Sequence, residues 1–115
     1  MPESRTIGVA GCGSMGLPMA RNLLKSGFKV SGYDVRPASD FGDFARHLCN
    51  SPQELAKVCP VVISVVRDWA QTETLCFGKD GLFSGDYSPK ILIISSTLSP
   101  KMIHRLQDRL PAGTE

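Results

Sequence analysis

A chain of 115 residues, 42% hydrophobic and 21% charged, has enough apolar material for one domain with its own core, and is expected to be a single domain over 1–115. Its net charge of +2, with no cluster of Lys or Arg, excludes the basic field that nucleic-acid binding needs. Cys12, Cys49, Cys59 and Cys76 lie far apart with no CxxC pair, so they read as reduced thiols of a cytoplasmic protein, with no metal site expected.

Met1 to Thr6 is short and polar, so no signal peptide is expected before Ile7, and no apolar run approaches membrane-spanning length. The continuous apolar run Ile7–Ala10 predicts a strand buried on both faces of a parallel sheet. A turn with Gly11, Gly13 and Gly16 follows. The helix predicted from about Ser14 carries Met15, Met19, Ala20, Leu23 and Leu24 as a stripe at helical spacing, and Gly27 supplies a left-handed stop. Phe28–Asp34 predicts the second strand.

Pro37 breaks the chain there. A polar helix is expected over Asp40–Ala45 and a short strand over His47–Cys49. Ser51-Pro52-Gln53-Glu54 is a capping box with proline at the first helical position, opening a helix that ends near Pro60. Val61–Val66 predicts another buried strand. Asp68 caps a helix that runs to about Cys76 and closes at Gly78, and Lys79–Pro89 is a loop. Ile91–Ser95 is the next predicted strand. Ser99-Pro100 then opens a helix whose Ile103, Leu106 and Leu110 face the core, ending before Pro111.

Strand and helix alternate throughout. That pattern predicts an α/β fold of the doubly wound Rossmann type, a mostly parallel sheet with helices on both faces. Such sheets bind ligands at the carboxyl ends of their strands, which directs attention to Gly11–Gly16, to Asp34, Val35 and Arg36, to Val66–Asp68 and to Ser95–Thr97.

The chemistry of the first of these groups is the most specific. Gly11 permits a tight turn off the strand, Gly13 lets backbone approach a pyrophosphate, and Gly16 lets the helix lie close to the sheet. The helix N-terminus offers N–H groups and a positive dipole end to phosphates. Asp34, 18 residues beyond Gly16, stands where a carboxylate accepts both ribose hydroxyls. That carboxylate favours NAD over NADP, whose 2′-phosphate it repels. Two readings of Arg36 remain open: a solvated loop residue, or a guanidinium that accommodates such a phosphate. Cys12 within the turn either fills space or carries reactivity, the second requiring a lowered pKa.

Gly11-Cys-Gly-Ser-Met-Gly16-Leu-Pro-Met-Ala-Arg-Asn22-Leu, with Lys25-Ser-Gly-Phe and Tyr33-Asp34, closely resembles the opening of the β-hydroxyacid dehydrogenases, the family of 3-hydroxyisobutyrate dehydrogenase, tartronate semialdehyde reductase and 6-phosphogluconate dehydrogenase. Gly78 with Gly81-Leu82, and Ser95-Ser96-Thr97 with Ser99-Pro100, continue the resemblance over essentially the whole chain. It implies a hydride transfer between NAD(P) and a small hydroxy acid. By the same resemblance the stretch Gly11, Cys12, Gly13, Ser14, Met15 and Gly16 holds the pyrophosphate and Asp34 the adenosine ribose. Val66 and Arg67 border the cofactor, Gln71 lies nearby, and Thr97 sits near the nicotinamide. Arg67 departs from the family's usual proline, and would meet a phosphate, an acidic substrate or solvent.

The family's glycine-pair motif on a sixth strand and its catalytic lysine, in a helical second domain, have no counterpart in this sequence. Lys25, Lys57, Lys79, Lys90 and Lys101 fall on helix ends, loops or strand starts, and His47 and His104 lack partner carboxylates at readable spacing. The expectation is a cofactor-binding domain without catalytic residues of its own, its hydroxy acid bound by the longer protein. The alternative is a short dinucleotide-binding sensor or interaction module. An uncovered sheet edge would favour homo-oligomers.

Overall fold

The apolar runs become strands and lie side by side. The computed structural model describes residues 6–13, 15–96 and 98–115, so the expectations placed on Ser14 and Thr97 lie outside the described residues. Strands β1 (Thr6–Ala10), β2 (Lys29–Tyr33), β3 (Val61–Ser64) and β4 (Ile91–Ile94) form one parallel sheet in the order β2-β1-β3-β4. Ile7 stands between Val30 and Val61, and Ile63 pairs with Ile93. The chain leaves β1 toward one edge and returns to its other side, so the order reverses between β1 and β3.

Successive side chains of a strand point to opposite faces, so Val9 and Ala10 belong to different cores. On one face Val9 and Val30 meet Ala20 of α1 (Gly16–Lys25) together with Phe41 and Phe44. On the other, Ala10 and Val62 meet Leu55 of α2 (Pro52–Val58), Leu75 and Cys76 of α3 (Trp69–Phe77) and Leu106 of α4 (Pro100–Arg109). Helices thus cover both faces, the doubly wound arrangement that the alternation of elements predicts.

The helices begin where their caps stand. Ser51 Oγ accepts the Glu54 N–H at 3.1 Å, and the Glu54 carboxylate accepts the N–H of Asn50, one residue before the cap, also at 3.1 Å. Asp68 accepts the Gln71 N–H at 2.9 Å, and Ser99 accepts that of Met102 at 3.3 Å. α1 differs: Met15 at its N-cap makes no side-chain capping bond. It stops, as predicted, at a left-handed Gly27 with φ of 93°.

Two expectations change. The polar helix predicted over Asp40–Ala45 is a 3-10 segment, Ala38–His47, kinked at Gly42 (φ 57°, ψ −132°). Phe41 and Phe44 lie on either side of that kink, and both side chains pack into the core beside Val9 and Val30. Both are 2% exposed, and these two aromatics pin the segment to the sheet. The strand predicted at His47–Cys49 contracts to a single parallel bridge between Leu48 and Gly32, reinforced by the Cys49 N–H on the Gly32 carbonyl at 2.7 Å. β2 and β3 are also shorter than read from the sequence: β3 stops at Ser64, releasing Val65 and Val66 to the loop above the sheet.

At the far edge, Glu115 donates to the Lys90 carbonyl (2.9 Å) and accepts from the Leu92 N–H (2.7 Å), pairing with the start of β4. Ile91 and Ile93 of that strand remain 42% and 44% exposed. No helix of the described residues is long and apolar enough to cross a membrane. Among the same residues no group of three or more His, Cys, Asp or Glu side chains could hold a metal ion.

Candidate cofactor site

Above the carboxyl ends of β1, β2 and β3, where the strand order reverses, lies a cavity of about 740 Å³. The glycine turn forms its floor, and each glycine there answers a different constraint. Gly11 has φ of 95°, and a Cβ on it would come 2.9 Å from the Val65 carbonyl oxygen, so both backbone angle and space demand glycine. Its N–H is held by the Tyr33 carbonyl at 2.8 Å. A Cβ on Gly16 would overlap the Gly11 carbonyl oxygen, with Val65 Cβ at 3.6 Å. Its bareness therefore serves the turn folding back on itself first, and the approach of helix to sheet second. A Cβ on Gly13 would meet nothing within 4 Å. Outside its chain neighbours, nothing in the described protein packs against that point.

The turn delivers the chain into α1, whose N-terminus opens on the cavity through Met15 and Gly16. α2, α3 and α4 each begin with a side-chain cap, whereas α1 has none among the described residues. The Leu17 N–H is taken by the Gly13 carbonyl at 3.1 Å and Pro18 has none, so of the first three positions of α1 only Gly16 keeps an N–H, beside the dipole end, for something other than the turn.

Across the cavity stands the end of β2. The Asp34 side chain is 10% exposed, and its Oδ1 accepts from the Arg36 backbone N–H at 2.9 Å and from Arg36 Nε at 3.4 Å. Arg36 Nη2 donates to the Cys12 carbonyl at 3.0 Å, and the guanidinium lies 4.7 Å from the centre of the Phe41 ring. One side chain thus ties the β2 loop to the glycine turn and to the 3-10 segment. On the third wall, the Gln71 side-chain oxygen accepts the Arg67 N–H at 2.7 Å, which fixes the loop between β3 and α3. Ser96 Oγ donates to the Val66 carbonyl, joining the loop after β4 to the same wall.

Of the residues singled out from sequence, Gly11, Gly13, Met15, Gly16, Asp34, Val35, Arg36, Val66, Arg67 and Gln71 all line this cavity. Met15 and Val35 stand at its rim, 65% and 88% exposed. Cys12 does not line it. Its side chain is fully buried among Val9, Ala20 and Phe44, with Sγ 3.4 Å from the Val9 carbonyl. Burial pushes its thiol up to about 11, with a smaller push from Asp34. Of the two readings open for Cys12, the structure supports the space-filling one, since a thiol this hard to ionise is a poor nucleophile.

Sequence reasoning missed Tyr33, Pro52, Val65, Ala70, Thr74, Leu75 and Lys79, which also line the cavity. Thr74 and Leu75 were available from helical spacing, one turn beyond Gln71, and Ala70 lies one turn before Thr74. Lys79 was not: it arrives on the loop after α3, held there by the Gln53 N–H on the Asp80 carbonyl at 2.8 Å. The walls therefore present three cations, Arg36, Arg67 and Lys79, and one carboxylate, Asp34, among largely apolar surface.

Comparison with known proteins agrees with this geometry. Residues 6–113 match the model for the NAD binding domain of 6-phosphogluconate dehydrogenase. The chain is 39% identical over 109 residues to the L-threonate dehydrogenase of Cupriavidus necator, covering 93% of this chain and 37% of that protein. It is 32% identical over 108 residues to the 3-hydroxyisobutyrate dehydrogenase of Pseudomonas aeruginosa, covering 92% of this chain and 36% of that one. The crystal structure of 3-hydroxyisobutyrate dehydrogenase from Salmonella typhimurium superposes with a TM-score of 0.71 at 26% identity, over 88% of this chain and 36% of that one. The chain therefore spans little more than a third of the length of these relatives. A glycine turn, an uncapped helix and a strand-end carboxylate around one cavity, together with a match over nearly the whole chain, place this protein in the family of NAD-binding domains of 6-phosphogluconate dehydrogenase and the β-hydroxyacid dehydrogenases.

Proposed function

We propose that this chain is the cofactor-holding part of a dehydrogenase acting on a small hydroxy acid, that it prefers NAD to NADP, and that it is not catalytic alone. The observation that carries the reading is Gly13. It opens on empty space in front of the uncapped α1 N-terminus, a backbone cradle that a side chain would fill and that a pyrophosphate fits. Gly11 and Gly16 shape that cradle, and Met15 borders it. Asp34 is the acceptor for the ribose hydroxyls, its carboxylate held in place through Oδ1. Val35, Val66 and Ala70 offer apolar surface to the adenine, and Gln71 fixes the Arg67 loop beside it. Ser14 and Thr97 retain the roles the family resemblance gives them.

When bound, the nicotinamide supplies or takes up the hydride; this chain's residues bind and orient the dinucleotide. The family resemblance puts the general acid–base lysine in a helical second domain, so proton transfer to the substrate oxygen falls to other parts of the longer enzyme. The match to relatives almost three times as long supports that division of labour. The four unpaired thiols fit a cytoplasmic compartment.

Calorimetric titration of the chain with NADH, beside an Asp34→Ala variant, tests the reading. Saturable binding that weakens at least tenfold in the variant is expected, since a hydrogen bond to a charged acceptor contributes about 1.5–3 kcal/mol. Equal affinity in the two proteins would remove Asp34 from the site.

A further inference from the structure

Lys79 reaches the cavity on a tightly restrained turn. The Gly78 N–H meets the Thr74 carbonyl at 3.0 Å, and the Gly81 N–H meets the Gly78 carbonyl at 3.0 Å. Leu82, fully buried, returns its N–H to the Leu75 carbonyl at 2.8 Å. A Cβ on Gly81 would lie 2.8 Å from the Cys76 carbonyl oxygen, so the turn is closed too narrowly for a side chain there. Asp80, inside it, is the one non-glycine among the described residues with a left-handed backbone, φ 60°. A residue with a Cβ keeps that conformation where its surroundings impose it. Here they do: the Asp80 carbonyl takes the Gln53 N–H at 2.8 Å, which locks the turn against the start of α2 and sets Lys79 beside Pro52 on the cavity wall. The ammonium delivered there has no ion-pair partner among the described residues, whereas Arg36 has Asp34.

That wall continues the surface offered to the adenine. Ala70 and Thr74, four residues apart, share one face of α3, so the Thr74 hydroxyl stands one turn beyond Ala70 and Lys79 follows it. An adenine attached through N9 to a ribose at Asp34 turns its opposite edge away from that ribose. This edge carries a ring acceptor, N1, beside a donor, the 6-amino group. An ammonium only donates and a hydroxyl also accepts, so Lys79 and Thr74 together complement it.

We infer that Lys79 is a base-recognising residue of this cavity: its ammonium donates to N1 of the adenine, while the Thr74 hydroxyl accepts from the 6-amino group. The inference rests on the cavity being a dinucleotide site, and its test separates the two. The chain and its Lys79→Ala and Lys79→Met variants are titrated calorimetrically with NAD and with nicotinamide 1,N6-ethenoadenine dinucleotide, whose two-carbon bridge covers both N1 and the amino nitrogen. The unsubstituted chain binds NAD about fivefold more tightly than the bridged analogue, an exposed ammonium giving less than a buried charged donor. Both variants lose about that factor for NAD and bind the analogue as before, so the preference disappears. Lys79 is exposed, so the variants keep the fold, and thermal unfolding checks it. Equal losses for the two dinucleotides would show that Lys79 acts only as a charge toward the pyrophosphate they share, and would overturn the inference. Unchanged NAD affinity in the variants, or no preference in the unsubstituted chain, would overturn it too while leaving the site's assignment standing. Binding of neither dinucleotide by the unsubstituted chain would overturn both.

Discussion

Gly11, Gly13 and Gly16 look alike in the sequence and differ in cause. Gly11 is fixed by a left-handed backbone and the Val65 carbonyl, Gly16 by the Gly11 carbonyl, and Gly13 by no contact among the described residues beyond its chain neighbours. The cysteines show the reverse: scattered positions, one shared physics. Burial pushes Cys12 and Cys49 up to about 11, and Cys59 and Cys76 up to about 12, from an ordinary value near 9. Each proton is then held more tightly in the folded chain than in the unfolded one. The stability this contributes is complete below pH 9 and is lost as pH rises through 11 to 12. Urea unfolding at a series of pH values should show stability level with respect to these groups up to about 9 and falling steeply above it. A plateau extending to pH 11 would mean that the thiols ionise in place at no cost to the fold.

At the scale of elements, the caps were the most legible feature. Ser51, Asp68 and Ser99 each accept the N–H three residues on, as their positions before a helical pattern implied. Ser51→Ala should lower stability by about 1 kcal/mol, because it orphans the Glu54 N–H and unlocks one half of a two-way box. Thermal unfolding of the variant checks this, and an unchanged midpoint would show that Glu54 and solvent suffice. The stretch between β2 and α2 was the least legible. Its polar residues suggested a polar helix over Asp40–Ala45, yet Phe41 and Phe44, one on each side of the Gly42 kink, both reach the sheet. Gly42 gives the chain a kink that local propensity does not signal, and the short pieces on either side of it carry no period long enough to read. The shortfall of β3 has a similar source. Val65 and Val66 are as strand-prone as their neighbours, but the backbone there turns to meet Gly11 and forms the cavity wall.

Over the whole molecule, alternation of strand and helix was enough to read a parallel sheet with helices on both faces. Residues from three of the four expected strand-end groups, those after β1, β2 and β3, gather around one cavity because the order reverses between β1 and β3. Ser95 and Ser96 after β4 do not line it, and Ser96 meets that wall only through the Val66 carbonyl. Long-range placements were harder to read. That Arg36 reaches back to the Cys12 carbonyl, and that Lys79 arrives beside Pro52, depends on how the loops fold over the sheet, and no local pattern encodes it. The central claim is that the space in front of Gly13 belongs to a pyrophosphate. The most direct measurement pairs thermal unfolding with NADH titration for Gly13→Val. Apart from its chain neighbours, no atom of the described residues lies within 4 Å of a Cβ at that position, so the variant should keep its melting midpoint and lose NADH binding by at least a hundredfold. A variant that folds equally well and still binds NADH with the affinity of the unsubstituted chain would contradict the account.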